Sequence, residues 1–231
     1  MKLHKHFIFR LISGWTLLLS CTVNADNHQE KLAIGITPEI QKVTVLHRGK
    51  TTQIMRNQNP MNTVSPIFAK TSRKCPPFCI QPISLAPRVE TIGEVEVLDY
   101  LSKIAKGDRS ILVVDSRTES WVKNGTIPGS VNIPWTDLNP AKGADPAEIT
   151  GILTNQFNVD VLEGLYDFSN AKTLVLFCNG MWCGQSPNNI KNLLKIGYPA
   201  HKLKWYRGGM QDWAILGLTV TPELKQIKSN H

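Results

Sequence analysis

The chain has 231 residues, 42% of them apolar, and a formal net charge of +8. That is apolar material enough for one domain of ordinary size with extra segments. The basic residues are scattered, with no long run and little aromatic interleaving, which argues against a nucleic-acid groove and leaves solubility and attraction to anions.

Residues 1–25 read as an export signal. Lys2, Lys5 and Arg10 make a positive start, the apolar run Leu11 to Leu19 is too short to span a bilayer comfortably, and Val23-Asn-Ala25 supplies small residues for cleavage before Asp26. Leu18-Leu-Ser-Cys21 also resembles a bacterial lipoprotein box. Loss of Cys21 with the signal is favoured, and a membrane partner is expected only if Cys21 is lipidated. The expected location is outside the cytoplasm, in the periplasm of a Gram-negative bacterium. Cys75, Cys79, Cys178 and Cys183 then meet an oxidising compartment as two close pairs, each able to close its own disulfide.

Residues 26–88 form a leader segment. Lys42 to His47 alternates as a strand, Arg48-Gly-Lys50 is a turn, and Thr51 to Met55 is the return strand. Asn57-Gln-Asn-Pro60 breaks that pattern, and Pro66, Pro76, Pro77, Pro82 and Pro87 make a long non-helical stretch that is expected to pack on the main domain. Cys75 and Cys79 within it are expected to be bonded. One pair is too few ligands for a metal, so no metal is expected there.

From about residue 90 to 221 strands and helices alternate, and residues 222–231 are a tail. Val95 to Ala105 reads as a helix, Ser110 to Asp115 as a buried strand, Glu119 to Lys123 as a short helix and Gly129 to Ile133 as a short strand. Glu148 to Phe157 is helical, Lys202 to Tyr206 is the last strand, and Gly208-Gly209 opens a helix through Trp213. This order predicts an α/β fold with a parallel sheet, whose ligand site lies at the carboxyl ends of the strands.

The richest stretch is Leu174 to Leu194. An apolar run ends on Cys178, a loop with Gly180 and Gly184 follows, and Ser186-Pro187 reads as the cap and first position of a helix. A thiol where a strand stops and a helix begins can face a nest of backbone N–H groups backed by the positive helix end. Such a nest lowers a cysteine pKa and holds an anionic adduct on sulfur.

Three ordered blocks resemble the rhodanese-like family. They are Leu112-Val-Val-Asp115-Ser-Arg117 with Gly125-Thr-Ile-Pro128-Gly, Phe177-Cys178 at the start of the family's active-site loop, and Arg207-Gly208-Gly209-Met210-Gln-Asp-Trp213 near the end. Thr126 stands where the family usually has His. The loop departs further: Ser186 falls two residues later than in a common sulfurtransferase loop, no Arg is present, and Cys183 is extra. The length is closer to that of the family's phosphatase-like branch, but Gly184 occupies the position where that branch needs Arg to clamp phosphoryl oxygens, so phosphatase activity ranks low.

The resemblance implies a three-layer rhodanese-like domain that uses no cofactor. It implies that Cys178 is the nucleophile taking sulfane sulfur from a small anionic donor such as thiosulfate, with a thiol or cyanide as acceptor. Cys183 is either a resolving thiol or the other half of a permanent bond to Cys178. The loop residues Asn179, Gly180, Met181, Trp182, Gly184, Gln185 and Ser186, with Arg207, are the candidate substrate contacts. Asp115 and Arg117 are expected to support the scaffold. Trp205 and Tyr206 either wall the pocket or pack. Two other readings stand beside this one: a thiol–disulfide relay through Cys178 and Cys183 with a redox partner protein, and a non-catalytic binding module.

Overall fold

A computed structural model describes residues 32–221. The expected export signal with Cys21, the start of the leader and the tail 222–231 lie outside the described residues.

The leader opens with an antiparallel hairpin, β1 (Lys42–His47) and β2 (Lys50–Met55). Its two-residue turn places both Arg48 and Gly49 at positive φ, the geometry that matches the twist of paired strands. A short helix α1 (Pro66–Ala69) follows. Beyond residue 89 come β3 (Glu90–Ile92), α2 (Glu94–Ala105), β4 (Ile111–Asp115), α3 (Glu119–Val122), β5 (Val131–Asn132) and α4 (Pro146–Asn155). A second hairpin, β6 (Asp160–Leu162) and β7 (Leu165–Asp167), precedes β8 (Thr173–Phe177), α5 (Gln185–Lys195), β9 (Leu203–Tyr206) and α6 (Gly209–Ile215).

Five strands form one parallel sheet in the order β3-β9-β8-β4-β5. Its central strands are buried on both faces, which explains the unbroken apolar run Leu174 to Phe177. Alternate residues serve opposite layers. Val113, Val175, Phe177 and Tyr206 pack with α2, α6 and the β1–β2 hairpin. Val114, Leu174, Leu176 and Trp205 pack with α4 and α5. The hairpin contributes Val43, Val45 and Ile54 to the first of these cores, and the chain near residue 218 is tied to it through Asn57 N–H to Gly217 O at 2.7 Å and Thr219 N–H to Met55 O at 3.0 Å. The leader therefore shares its apolar core with the sheet.

Several boundaries differ from the sequence reading. Helix α4 starts at Pro146, two residues before the expected Glu148. Asp145 caps it, accepting from Ala147 N–H at 2.7 Å, and Glu148 reaches back to the Asp145 N–H. Strand β3 and the β6–β7 hairpin were not expected. Three residues are too few to show a period, and β3 is recognisable only from its pairing with β9. Among the described residues no helix is long and apolar enough to cross a membrane.

Candidate active site

Cys178 follows the last residue of β8, at the carboxyl edge of the sheet. Its loop is fixed from outside by the amino end of α6: Met210 N–H donates to Cys178 O and Gln211 N–H to Asn179 O, both at 3.0 Å. With those carbonyls held by α6, the amides of Gly180 and Ser186 face the sulfur. The close approach requires Gly209. It sits at φ +56°, and a Cβ there would lie 2.3 Å from the Cys178 carbonyl oxygen and 2.8 Å from Gly180 N. The second glycine of the Gly-Gly pair is thus a packing requirement of the cysteine loop.

Cys178 and Cys183 both carry free thiols and are both buried. Burial alone would push the Cys178 pKa up. Hydrogen bonds from the Cys183 thiol, the Ser186 hydroxyl (3.2 Å) and the backbone amides of Ser186 and Gly180 outweigh it and bring the pKa down to about 7. The Cys183 pKa is pushed well above the ordinary thiol value by burial, by its own bond to Cys178 and by the negative charge there. The pair is therefore unequal: Cys178 gives up its proton more readily than Cys183. When Cys178 is itself protonated, its Sγ lies 3.4 Å from the Cys183 carbonyl and can donate to it.

Ser186 does not cap α5. The helix begins at Gln185 with Gly184 at the cap, so Ser186 lies inside the first turn and Pro187 one position further along. A free N–H is expected in that turn, so the proline costs nothing. The Ser186 hydroxyl instead turns inward, donating to Cys178 Sγ and accepting from Trp205 Nε1 at 3.2 Å.

Asp115 and Arg117 form a buried ion pair. Arg117 Nη2 donates to Asp115 Oδ2 at 2.6 Å and Nε to Asp115 Oδ1 at 2.9 Å. Nη2 also reaches Gly125 O at 2.7 Å, and Nη1 approaches Asn179 Oδ1 at 3.4 Å. Thr126, at the departure from the family pattern, donates its hydroxyl to Asp115 Oδ2 at 2.7 Å. The end of β4 is thereby joined to the 125–126 turn and to the cysteine loop.

A cavity of about 370 Å³ opens beside the loop, lined by Pro77, Phe78, Trp121 and Trp135 on its apolar side and by Asn179, Cys183, Gly184, Gln185 and Asn188 on the other. Cys183 lines it, and the buried Cys178 is not among the lining residues. Of the expected contacts, Asn179, Gly184 and Gln185 line this cavity, while Gly180 and Ser186 serve the sulfur through hydrogen bonds. Met181 and Trp182 pack around the cysteines with Phe78 and Trp121, and Trp182 Nε1 donates to Gln211 Oε1 at 2.7 Å. Arg207 is not among the lining residues. Its Nη2 and Nε donate to Gln81 O, at 2.9 and 3.3 Å, which holds the leader down rather than presenting a charge to a donor. Trp205 and Tyr206 are fully buried and belong to the two cores.

The leader's share of the site was not visible in the sequence. Cys75 and Cys79 are bonded to each other. Between them Phe78 meets Trp182 edge-on at 5.5 Å, and beyond them Gln81 N–H donates to Met181 O at 2.8 Å. Residues 73–81 thus form a strap across the cysteine loop. Arg73 stacks on Trp182 with its guanidinium carbon 3.9 Å from the ring centroid. Nothing in an irregular proline-rich segment signals such a contact. Among the described residues no cluster of three or more His, Cys, Asp or Glu is arranged to hold a metal ion.

A family model described as the rhodanese-like domain matches residues 97–216. No curated protein matches the chain. Among solved structures, a Bacillus halodurans protein is 19% identical over 58% of this chain and 77% of its own, with a TM-score of 0.41. A human single-domain sulfurtransferase is 24% identical over 54% of this chain and 95% of its own, with a TM-score of 0.34. A thiosulfate sulfurtransferase from Pseudomonas aeruginosa is 17% identical over 59% of this chain and 21% of its own, with a TM-score of 0.36.

Proposed function

The chain belongs to the rhodanese-like domain family, and from that premise we propose that it is a sulfurtransferase working through a persulfide on Cys178. The observation that carries the reading is the setting of Cys178, a sulfur at the carboxyl edge of the sheet surrounded by donors from Ser186, Gly180 and Cys183, which lower its pKa. The thiolate attacks the outer sulfur of an anionic donor such as thiosulfate. A sulfur–sulfur bond forms to Cys178, the donor's own sulfur–sulfur bond breaks, and sulfite leaves with that electron pair. The same amides and hydroxyl that stabilise the thiolate then stabilise the terminal sulfur anion. An acceptor thiolate or cyanide takes the outer sulfur and regenerates the Cys178 thiolate. These steps need no cofactor.

A second reading is favoured by Cys183, a free thiol hydrogen-bonded to Cys178 and facing the cavity. Cys183 attacks the inner sulfur of the persulfide, giving its proton to the departing sulfide. Hydrosulfide leaves and a Cys178–Cys183 disulfide remains, which two thiols of a redox partner then reduce. Export to an oxidising compartment belongs to both readings, and the Cys75–Cys79 bridge supports it.

Mass spectrometry after incubation with thiosulfate tests the proposal. A 32-dalton sulfur adduct is expected on the wild type and on Cys183→Ser, and none on Cys178→Ser. Absence of the adduct on both cysteines sinks the sulfurtransferase reading. A Cys178–Cys183 disulfide with release of sulfide, seen in the wild type alone, selects the second route.

A further inference from the structure

The cysteine loop carries no cationic side chain between Asn179 and Ser186, although the donor invoked above is an anion. Two arginines nearby are already engaged. Arg117 is paired to Asp115 and Gly125, and Arg207 is bonded to Gln81. We propose that Arg73, delivered by the strap, is the residue with which this site recognises a negatively charged sulfur donor. The proposal rests on the Cys178–Cys183 loop being the reacting site.

Arg73 lies where such a residue is needed. Its guanidinium is 3.9 Å from the Trp182 ring centroid, 5.7 Å from Trp121 and 5.8 Å from Phe78. Phe78 and Trp121 line the cavity, and Trp182 packs directly against the two cysteines. Stacking holds the planar group while leaving its edge free for an oxyanion, a combination that lysine does not offer. Its Nε is buried with no hydrogen-bond acceptor among the described residues, a cost that an incoming anion relieves. Burial disfavours the Arg73 charge, and Cys183 acts in the other direction, so the cation and the sulfur pair lie within electrostatic reach. The strap that carries Arg73 is anchored independently of it, by the Cys75–Cys79 bond, by Gln81 N–H to Met181 O and by Arg207 to Gln81 O. A rival cation exists at the rim, where Lys142 Nζ stands 5.6 Å from the Trp135 ring.

The test compares alkylation by iodoacetate, an anion, with alkylation by neutral iodoacetamide, located on Cys178 or Cys183 by peptide mass spectrometry. The wild type is expected to favour iodoacetate more than glutathione does under the same conditions. Arg73→Gln is expected to lower the iodoacetate-to-iodoacetamide rate ratio roughly five- to tenfold, the scale of one unit charge at close range in a partly solvated site. Arg73→Lys keeps the charge without the stacked fork and should retain only part of the preference, Lys142→Gln should leave it unchanged, and about 0.5 M salt should narrow it in the wild type. An unchanged ratio in Arg73→Gln overturns the proposal. So does a change in both rates together, which marks a packing role, or a loss of preference in Lys142→Gln instead. A wild type that accepts no sulfur from thiosulfate removes the sulfurtransferase reading, while the alkylation ratio still decides the role of Arg73.

Discussion

Two cysteine pairs of nearly equal spacing meet opposite fates. Cys75 and Cys79, four residues apart, are bonded, and Cys178 and Cys183, five apart, are free. The first pair lies in a proline-rich strap with few backbone hydrogen bonds, where a covalent link supplies constraint that the chain lacks. The second lies where β8, α5 and α6 converge, and its loop is already fixed by Met210 N–H to Cys178 O, Gln211 N–H to Asn179 O and Cys183 N–H to Gly180 O. A loop held by main-chain bonds needs no staple, so its sulfurs remain available. The contrast separates a structural use of cysteine from a chemical one within a single site, because the bonded pair lies in the strap that covers the free pair.

The frame around the free pair is the place to break this contrast most severely. Asp115→Ala leaves Arg117 buried and unpaired, and is expected to cost about 3–5 kcal/mol of stability, read from the denaturant midpoint. Gly209→Ala is expected to cost about 2–4 kcal/mol, from a side chain at positive φ and its overlap with the Cys178 carbonyl. It should also slow alkylation of Cys178, since the loop must move. Replacing both Cys75 and Cys79 by Ser removes a very short closed loop, for an expected loss of about 2 kcal/mol. The apparent pKa of Cys178 in alkylation should stay near its wild-type value, because the groups that set it belong to the loop and α5. A large pKa change in that variant would mean that the strap shares in activating the sulfur.

The smallest effect sharpens the chemical side. The Cys178 alkylation rate should rise with pH around an apparent pKa of about 7, since only the thiolate reacts. Ser186→Ala removes a donor to the charged form, so the pKa moves up and the rate at pH 7 falls, roughly fivefold for a one-unit shift. Wild type and variant should converge at high pH, where both are ionised. A variant that remains slow at pH 10 would show Ser186 to position Trp205 or the loop rather than tune the charge.

Much of the site was legible from local pattern. The apolar run into Cys178, the Asp115-to-Arg117 segment and the Gly208-Gly209 pair each mark a place where the backbone has little choice. Ser186 was misplaced because a hydroxyl before proline has the signature of a cap, while its actual partner is a sulfur anion eight positions back in the chain. Arg207 has the signature of a ligand residue in the sequence, because nothing local shows that its acceptor is Gln81 O. The β6–β7 hairpin leaves one local trace, the Glu163-Gly164 turn with both residues at positive φ, while its three-residue strands show no alternation.

The parallel α/β order, a hairpin turning near Arg48-Gly-Lys50 and the sulfur at a strand end were legible in the amino-acid sequence alone, though Lys50 belongs to the return strand. Period two, period 3.6 and turn stereochemistry act over a few neighbouring residues and leave a readable trace. Tertiary structure alone decided which sulfur is ionised, which arginines are already spent and that Arg73 and Phe78 lie over a loop far along the chain. Those outcomes depend on burial and on contacts between distant segments, which follow no sequence period.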